Sequence, residues 1–184
     1  MPKDGKRVFF IADTHFGHSK IIEYANRPFQ DTAKMDERLI RLWNATVRAQ
    51  DEVFMLGDFA FGPKERAMEI GQRLSGRKTL IMGNHDTRSV QTYRECGFET
   101  VSRWPIIYNG FWLLSHEPMQ MPEGMPFANI FGHIHDAQYE NPLRRRFCVS
   151  VEQIDYRPIE LGEIMKALGI TDENLPDLAS DGDQ

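Results

Sequence analysis

Three apolar segments in the first half of the chain run straight into residues that carry chemistry. FFIA (9–12) ends in Asp13-Thr14-His15, VFML (53–56) in Gly57-Asp58, and TLIM (79–82) in Gly83-Asn84-His85-Asp86. Two later segments do the same: WLLS (112–115) meets His116, and NIF (129–131) meets Gly132-His133-Ile134-His135. Short, continuous apolar runs are what strands covered on both faces require. In an open α/β sheet the carboxyl ends of neighbouring strands open on one crevice. Five segments far apart in sequence can therefore deliver their polar ends to one place. Gly57, Gly83 and Gly132 allow the tight turns and close backbone approach needed there.

Helical patterns lie between the early strands. MDERLIRLWNATV (35–47) puts Met35, Leu39, Leu42, Trp43 and Val47 on one face. PKERAMEIGQRL (63–74) reads as a helix with Pro63 at its first position. TRSVQTYREC (87–96) is a further helix, and IELGEIMKALG (159–169) closes the fold with Gly169 as its stop. In contrast, TVSRWPIIY (100–108), GFWLLSH (110–116), PFANIFGH (126–133) and RRFCVSV (145–151) are strand candidates with little helix between them. Alternating β and α followed by mostly β predicts an α/β fold of mixed sheets covered by helices. The 184 residues suit one domain over 1–170.

Charge and composition bound the partners. The chain has 22 Lys and Arg against 27 Asp and Glu, a net charge of −5. Five of those acids (Asp172, Glu173, Asp177, Asp181 and Asp183) fall in residues 171–184, a polar tail expected to be mobile and without chemistry. Residues 1–170 are thus balanced at 22 against 22, so nucleic acid is a possible partner but not a favoured one. No apolar run approaches the roughly 20 residues of a membrane span, and no membrane partner is expected. The first apolar run is broken by Asp13 and His15, so the start reads as a strand and not as a signal peptide. A cytoplasmic protein with Cys96 and Cys148 as reduced, part-buried thiols is the expectation. Oligomeric state is not legible.

All six histidines lie in the strand-end segments: His15, His18, His85, His116, His133 and His135. Asp13 and His15 are two residues apart, as are His133 and His135. In extended backbone that spacing places both side chains on one side, so each pair can grip one ion. Nitrogen and oxygen donors without cysteine suit Mn, Fe, Zn or Ni better than a structural thiolate zinc. Seven ligand-type residues (Asp13, His15, Asp58, Asn84, His116, His133 and His135) exceed one tetrahedral ion. They suit two ions that share a bridging carboxylate.

The blocks DTH (13–15), GD (57–58), GNHD (83–86), SHEP (115–118) and GHIH (132–135) stand in an order that resembles the calcineurin-like metallophosphoesterases. The pattern DTHFGH…NRPF…M…LI…WN is similar to a compact branch of short bacterial and phage members. The resemblance implies a four-layer sandwich of two mixed β-sheets flanked by helices. It implies that Asp13, His15 and His135 hold one divalent metal and Asn84, His116 and His133 a second, with Asp58 bridging. Two ions, Mn foremost, would activate a hydroxide that attacks phosphorus. His85 would face the substrate and give a proton to the leaving oxygen. Asp86 would hold the His85 ring, or else cap the helix after GNH. His18 is a candidate for a hydrogen bond to substrate phosphate. Arg27, in NRPF, either clamps phosphate or pairs with an acid. Arg144–Arg146 read as a solvated strand edge rather than a phosphate-contacting loop. Trp43, Trp104 and Trp112 are expected in the core. Cys148 stands where similar sequences carry Asn.

The activity expected is hydrolysis of a phosphodiester or phosphomonoester on a small or nucleotide substrate. The alternatives are a nuclease on polymeric nucleic acid and a non-catalytic metal-binding scaffold. A scaffold would be expected to have lost ligands or His85, and neither is lost.

Overall fold

A computed structural model describes residues 5–171 and Leu175. Two mixed sheets flanked by helices make up the fold, as expected. The first sheet contains β1 (Val8–Ile11), β2 (Glu52–Met55), β3 (Arg77–Ile81), β4 (Phe98–Ser102) and β9 (Ile159–Glu160), in the order β4-β3-β2-β1-β9. Its strands are parallel except for β9, which runs antiparallel to β1. The second sheet, in the order β5-β6-β7-β8, contains β5 (Ile106–Tyr108), β6 (Trp112–Leu114), β7 (Ala128–Phe131) and β8 (Arg146–Cys148). A β5–β6 hairpin opens it and parallel pairing completes it.

The helices form where their sequences dictate. Helix α1 spans Ser19–Tyr24, α2 Thr32–Thr46, α3 Lys64–Arg73, α4 Val90–Glu95 and α5 Leu161–Leu168. The Asp31 side chain accepts from Lys34 N and starts α2 three residues before the apolar pattern begins. Pro63 is the residue before α3 and not its first turn. Ser89 caps α4 by accepting from Thr92 N. Glu160 and Glu163 form a capping box on α5, and Gly169 ends it in left-handed backbone.

The sheets are sewn together beside the polar strand ends. Beyond β8, Val149 N donates to Phe131 O (2.7 Å), Ala12 N to Val149 O (2.8 Å) and Val151 N to Ala12 O (3.1 Å). The chain leaving the second sheet therefore pairs with the residue just before Asp13. Trp43 and Trp112 are buried as expected. Trp104 is not: it lies on the link between β4 and β5 and is 76% exposed. An apolar side chain on an edge-to-edge connection has no facing layer to bury it. Both cysteines are buried. Among the described residues of the tail, Leu175 packs against the core. Residues 172–174 and 176–184, and with them most of the expected mobile tail, lie outside the described residues. No helix among the described residues is long and apolar enough to cross a membrane.

Candidate metal centre

The strand-end residues do converge, but by a different backbone device from extended alternation. Asp13, His15, Asp58, His133 and His135 all have positive φ, between 48° and 71°. Five of the seven expected ligands thus sit in left-handed backbone, a conformation that costs non-glycine residues about 1–3 kcal/mol each. The strain is held by hydrogen bonds that continue the β1–β2 pairing beyond the strands. Asp13 N donates to Gly57 O (3.0 Å), His15 N to Asp58 O (2.9 Å) and Phe16 N to Phe59 O (3.0 Å). The glycines make room. A Cβ on Gly57 would collide with His116 Nδ1, one on Gly83 with Asp58 Oδ1, and one on Gly132 with Asp13 Oδ2.

Donor atoms of Asp13, His15 and His135 lie within 4.8 Å of one another, as do those of Asp13, Asp58 and His116. Asp58 Oδ2 is 3.5 Å from His15 Nε2 and 3.5 Å from His116 Nε2, between the two groups. Beyond His116, Asn84 Oδ1 lies 2.8 Å from His116 Nε2 and 3.1 Å from His133 Nδ1, and those two nitrogens are 3.2 Å apart. His133 and His135 therefore part company. One faces Asn84 and His116, the other Asp13 and His15. The expectation that their spacing lets this pair grip one ion is corrected, because the two side chains meet different partners.

The unsatisfied atoms show what the cluster fits. Asp13 is fully buried, and its Oδ2 accepts from Ser150 Oγ (2.7 Å) and His133 N (2.8 Å). Its Oδ1 and both ring nitrogens of His15 are buried without a hydrogen-bond partner. Burial pushes the Asp13 carboxyl up to about 6. Burial, Arg27 and neighbouring imidazoles hold His15 well below the usual histidine range. A buried carboxylate beside a neutral imidazole, with lone pairs unmet, matches a cation. The oxygen and nitrogen donors fit divalent ions of the Mn, Fe, Zn and Ni class.

Asp86 departs from its expected contacts, and Arg27 follows one of its two expected readings. Asp86 does not touch the His85 ring and does not cap α4. Its carboxylate accepts from Asp58 N (2.7 Å), Gly83 N (2.9 Å), Phe59 N (3.1 Å) and Tyr93 Oη (3.1 Å). It locks the turn that presents Asp58. Arg27 follows the acid-pairing reading and not the phosphate clamp. It is buried, bonds Glu152 through Nε (2.9 Å) and Nη2 (2.7 Å), and donates to the backbone oxygens of Thr14 (3.0 Å) and Asp13 (2.6 Å).

His85 lies on an exposed turn. Its N donates to Asp58 Oδ1 (2.9 Å), and its ring is 5.7 Å from that of His15. His18 precedes α1, with its ring stacked on Phe61. Arg144 is exposed, Arg145 donates to Met125 O, and Arg146 lies over the Phe131 and Tyr139 rings.

Sequence reasoning missed Glu152, which accepts from His135 Nδ1 (3.0 Å) as well as from Arg27. Burial alone would raise its pKa, but His135 and Arg27 outweigh that and hold it low. FCVSVE (147–152) is a sixth mainly apolar run that ends in an acid, and that was the available signal.

The chain is similar to known proteins. A 34% identity over 175 residues links the chain to the uncharacterized protein MJ1445 of Methanocaldococcus jannaschii, covering 89% of this chain and 92% of that protein. Gene 66 protein of Mycobacterium phage D29 is 37% identical over 103 residues, 54% of this chain and 50% of that protein. The crystal structure of AQ665 from Aquifex aeolicus, a protein of unknown function, superposes with a TM-score of 0.71 at 27% identity. That match covers 88% of this chain and 99% of the other. The family model for calcineurin-like phosphoesterases matches residues 6–161. With this match spanning both sheets and every strand-end block, the chain belongs to the calcineurin-like phosphoesterases, metal-dependent hydrolases of phosphoric ester bonds.

Proposed function

We propose that the chain hydrolyses a phosphodiester or phosphomonoester bond in a small or nucleotide substrate, using two divalent ions of which Mn is the first candidate. The observation that carries this reading is the placement of Asp58 Oδ2 at 3.5 Å from both His15 and His116, with unsatisfied Asp13 and His15 atoms beside it. Asp13, His15 and His135 would hold one ion, Asn84, His116 and His133 the other, and Asp58 both. Metal ions in such a centre supply Lewis acidity toward phosphoryl oxygens and an acidified water as nucleophile. The chain's own groups do the rest. Exposed His85, anchored through its backbone to Asp58, is free to give a proton to the leaving oxygen. His18 offers a ring edge to a phosphate oxygen. The retention of all seven ligand-type residues and His85 speaks against a scaffold without catalysis.

The test is a panel of phosphomonoesters, linear and cyclic phosphodiesters and single-stranded DNA, each run with Mn, Ni, Zn and Mg. Turnover of small esters with at least one metal is expected. Turnover of the polymer alone would replace the small substrate with nucleic acid. No turnover by fully metal-loaded protein would sink the enzymatic reading.

A further inference from the structure

We propose that Phe61 is a positioning residue for the two imidazoles assigned to the substrate, His18 and His85. This rests on the proposed function for what those imidazoles do, but not for where they are. The Phe61 ring stacks on His18 at 4.0 Å and an interplanar angle of 9°. The same ring lies 5.4 Å from His85 and 5.5 Å from His15. His18 Nδ1 is buried with no hydrogen-bond partner, so no hydrogen bond at that atom orients the ring. The stack does so instead, fixing the plane in which the opposite nitrogen meets a ligand.

Phe61 can serve as a wall because its own backbone is clamped. Phe61 N donates to Phe16 O (2.7 Å), and the Arg88 guanidinium donates to Ala60 O (2.6 Å) and Gly62 O (2.6 Å) on either side of it. Phe59, two residues earlier, is held by Asp86. Gly17 passes so close beneath that a Cβ there would lie 3.0 Å from Phe61 O. The loop that follows Asp58 thus holds a metal-facing carboxylate and, three residues on, the aromatic face against which the substrate-side imidazoles rest.

A double-mutant cycle and a spectrum test this. Phe61→Leu, Phe61→Tyr, His18→Ala and Phe61→Leu/His18→Ala are compared with wild type, metal-loaded, on whichever ester the panel shows to be turned over. Phe61→Leu should lower kcat/KM roughly 3–10-fold, the weight of one aromatic stack, and Phe61→Tyr should restore it. In the His18→Ala background the Leu substitution should cost markedly less, because the partner through which it acts is gone. Independently of turnover, 13C-histidine-labelled zinc protein should show the His18 ring proton shifted upfield in wild type and Phe61→Tyr, and relaxed in Phe61→Leu. Phe61→Met replaces Leu if that variant does not fold. Additive losses in the cycle, a silent His18→Ala, or an unmoved His18 resonance would each overturn the proposal. If wild type turns over no ester, the spectrum alone decides it.

Discussion

Asp13 and Asn84 stand at opposite ends of one cluster and are held in opposite ways. Around Asp13 two of the three candidate ligands, Asp13 and His135, have a buried partner. Ser150 donates to Asp13, Glu152 accepts from His135, and Arg27 ties Glu152 to the backbone of Asp13 and Thr14. Asp13 and His15 are themselves buried. Around Asn84 the arrangement is looser. Asn84 is exposed, His133 is half-buried, and their side chains contact each other and His116. Only His116, through Nδ1 on Leu56 O (2.8 Å), is tied to the framework by its side chain among those three in the described residues. One end is organised before an ion arrives, and partners of this kind raise metal affinity. The other is organised mainly by ligand touching ligand and stays open to solvent. The Asp13 end should bind its ion tightly, and the Asn84 end should exchange its ion more readily.

The largest effect should come from the group the two ends share. Asp58→Asn is expected to abolish activity and take metal content from about two ions per chain toward none, read by elemental analysis of gently purified protein. Retention of one full ion would show that the ends are independent. Next is His85→Ala, which should keep both ions and the fold yet lose roughly 10²–10⁴-fold in rate on an ester with an alkoxide leaving group. The loss should shrink for nitrophenolate, which departs without a proton. Equal losses on both esters would reassign His85 to phosphate binding. Glu152→Gln should weaken one ion roughly 10–100-fold and leave the other unchanged, seen as one shifted event in a calorimetric titration. Equal weakening at both ends would break the comparison. The smallest effect is expected from removing residues 176–184, a stretch rich in acids and poor in apolar side chains. Metal content and Tm should be nearly unchanged, and a drop of several degrees would show that the tail contributes to the body.

The residues of the centre were legible because buried strands and polar ends are local patterns. An apolar run ending in Asp, His or Gly marks a strand leaving the core, and five such runs named all seven converging residues. The α5 helix was legible down to its stop at Gly169, although the expected start at residue 159 falls on β9 and the helix begins at Leu161. Asp86 and Arg27 were harder. Each is a charged residue next to a motif, and sequence spacing does not say whether such a residue faces the ligand or the framework behind it. Trp104 was misplaced because hydrophobicity alone cannot tell a core position from an exposed link between two sheets.

The sequence by itself determined which residue types reach the strand ends, that they offer oxygen and nitrogen and no thiolate, and that glycines stand beside them. Those are properties of composition and short-range order. Tertiary structure alone decided which way each side chain turns. Left-handed backbone at Asp13, His15 and Asp58 is held by hydrogen bonds between segments 40 and more residues apart, and His133 and His135 turn to opposite ends. The pairing of Arg27 with Glu152, 125 residues away, likewise exists only once the chain leaving the second sheet has been laid against Ala12. A conformation that local propensity disfavours forms only where long-range contacts outweigh its cost, and those contacts are not written in any one stretch of sequence.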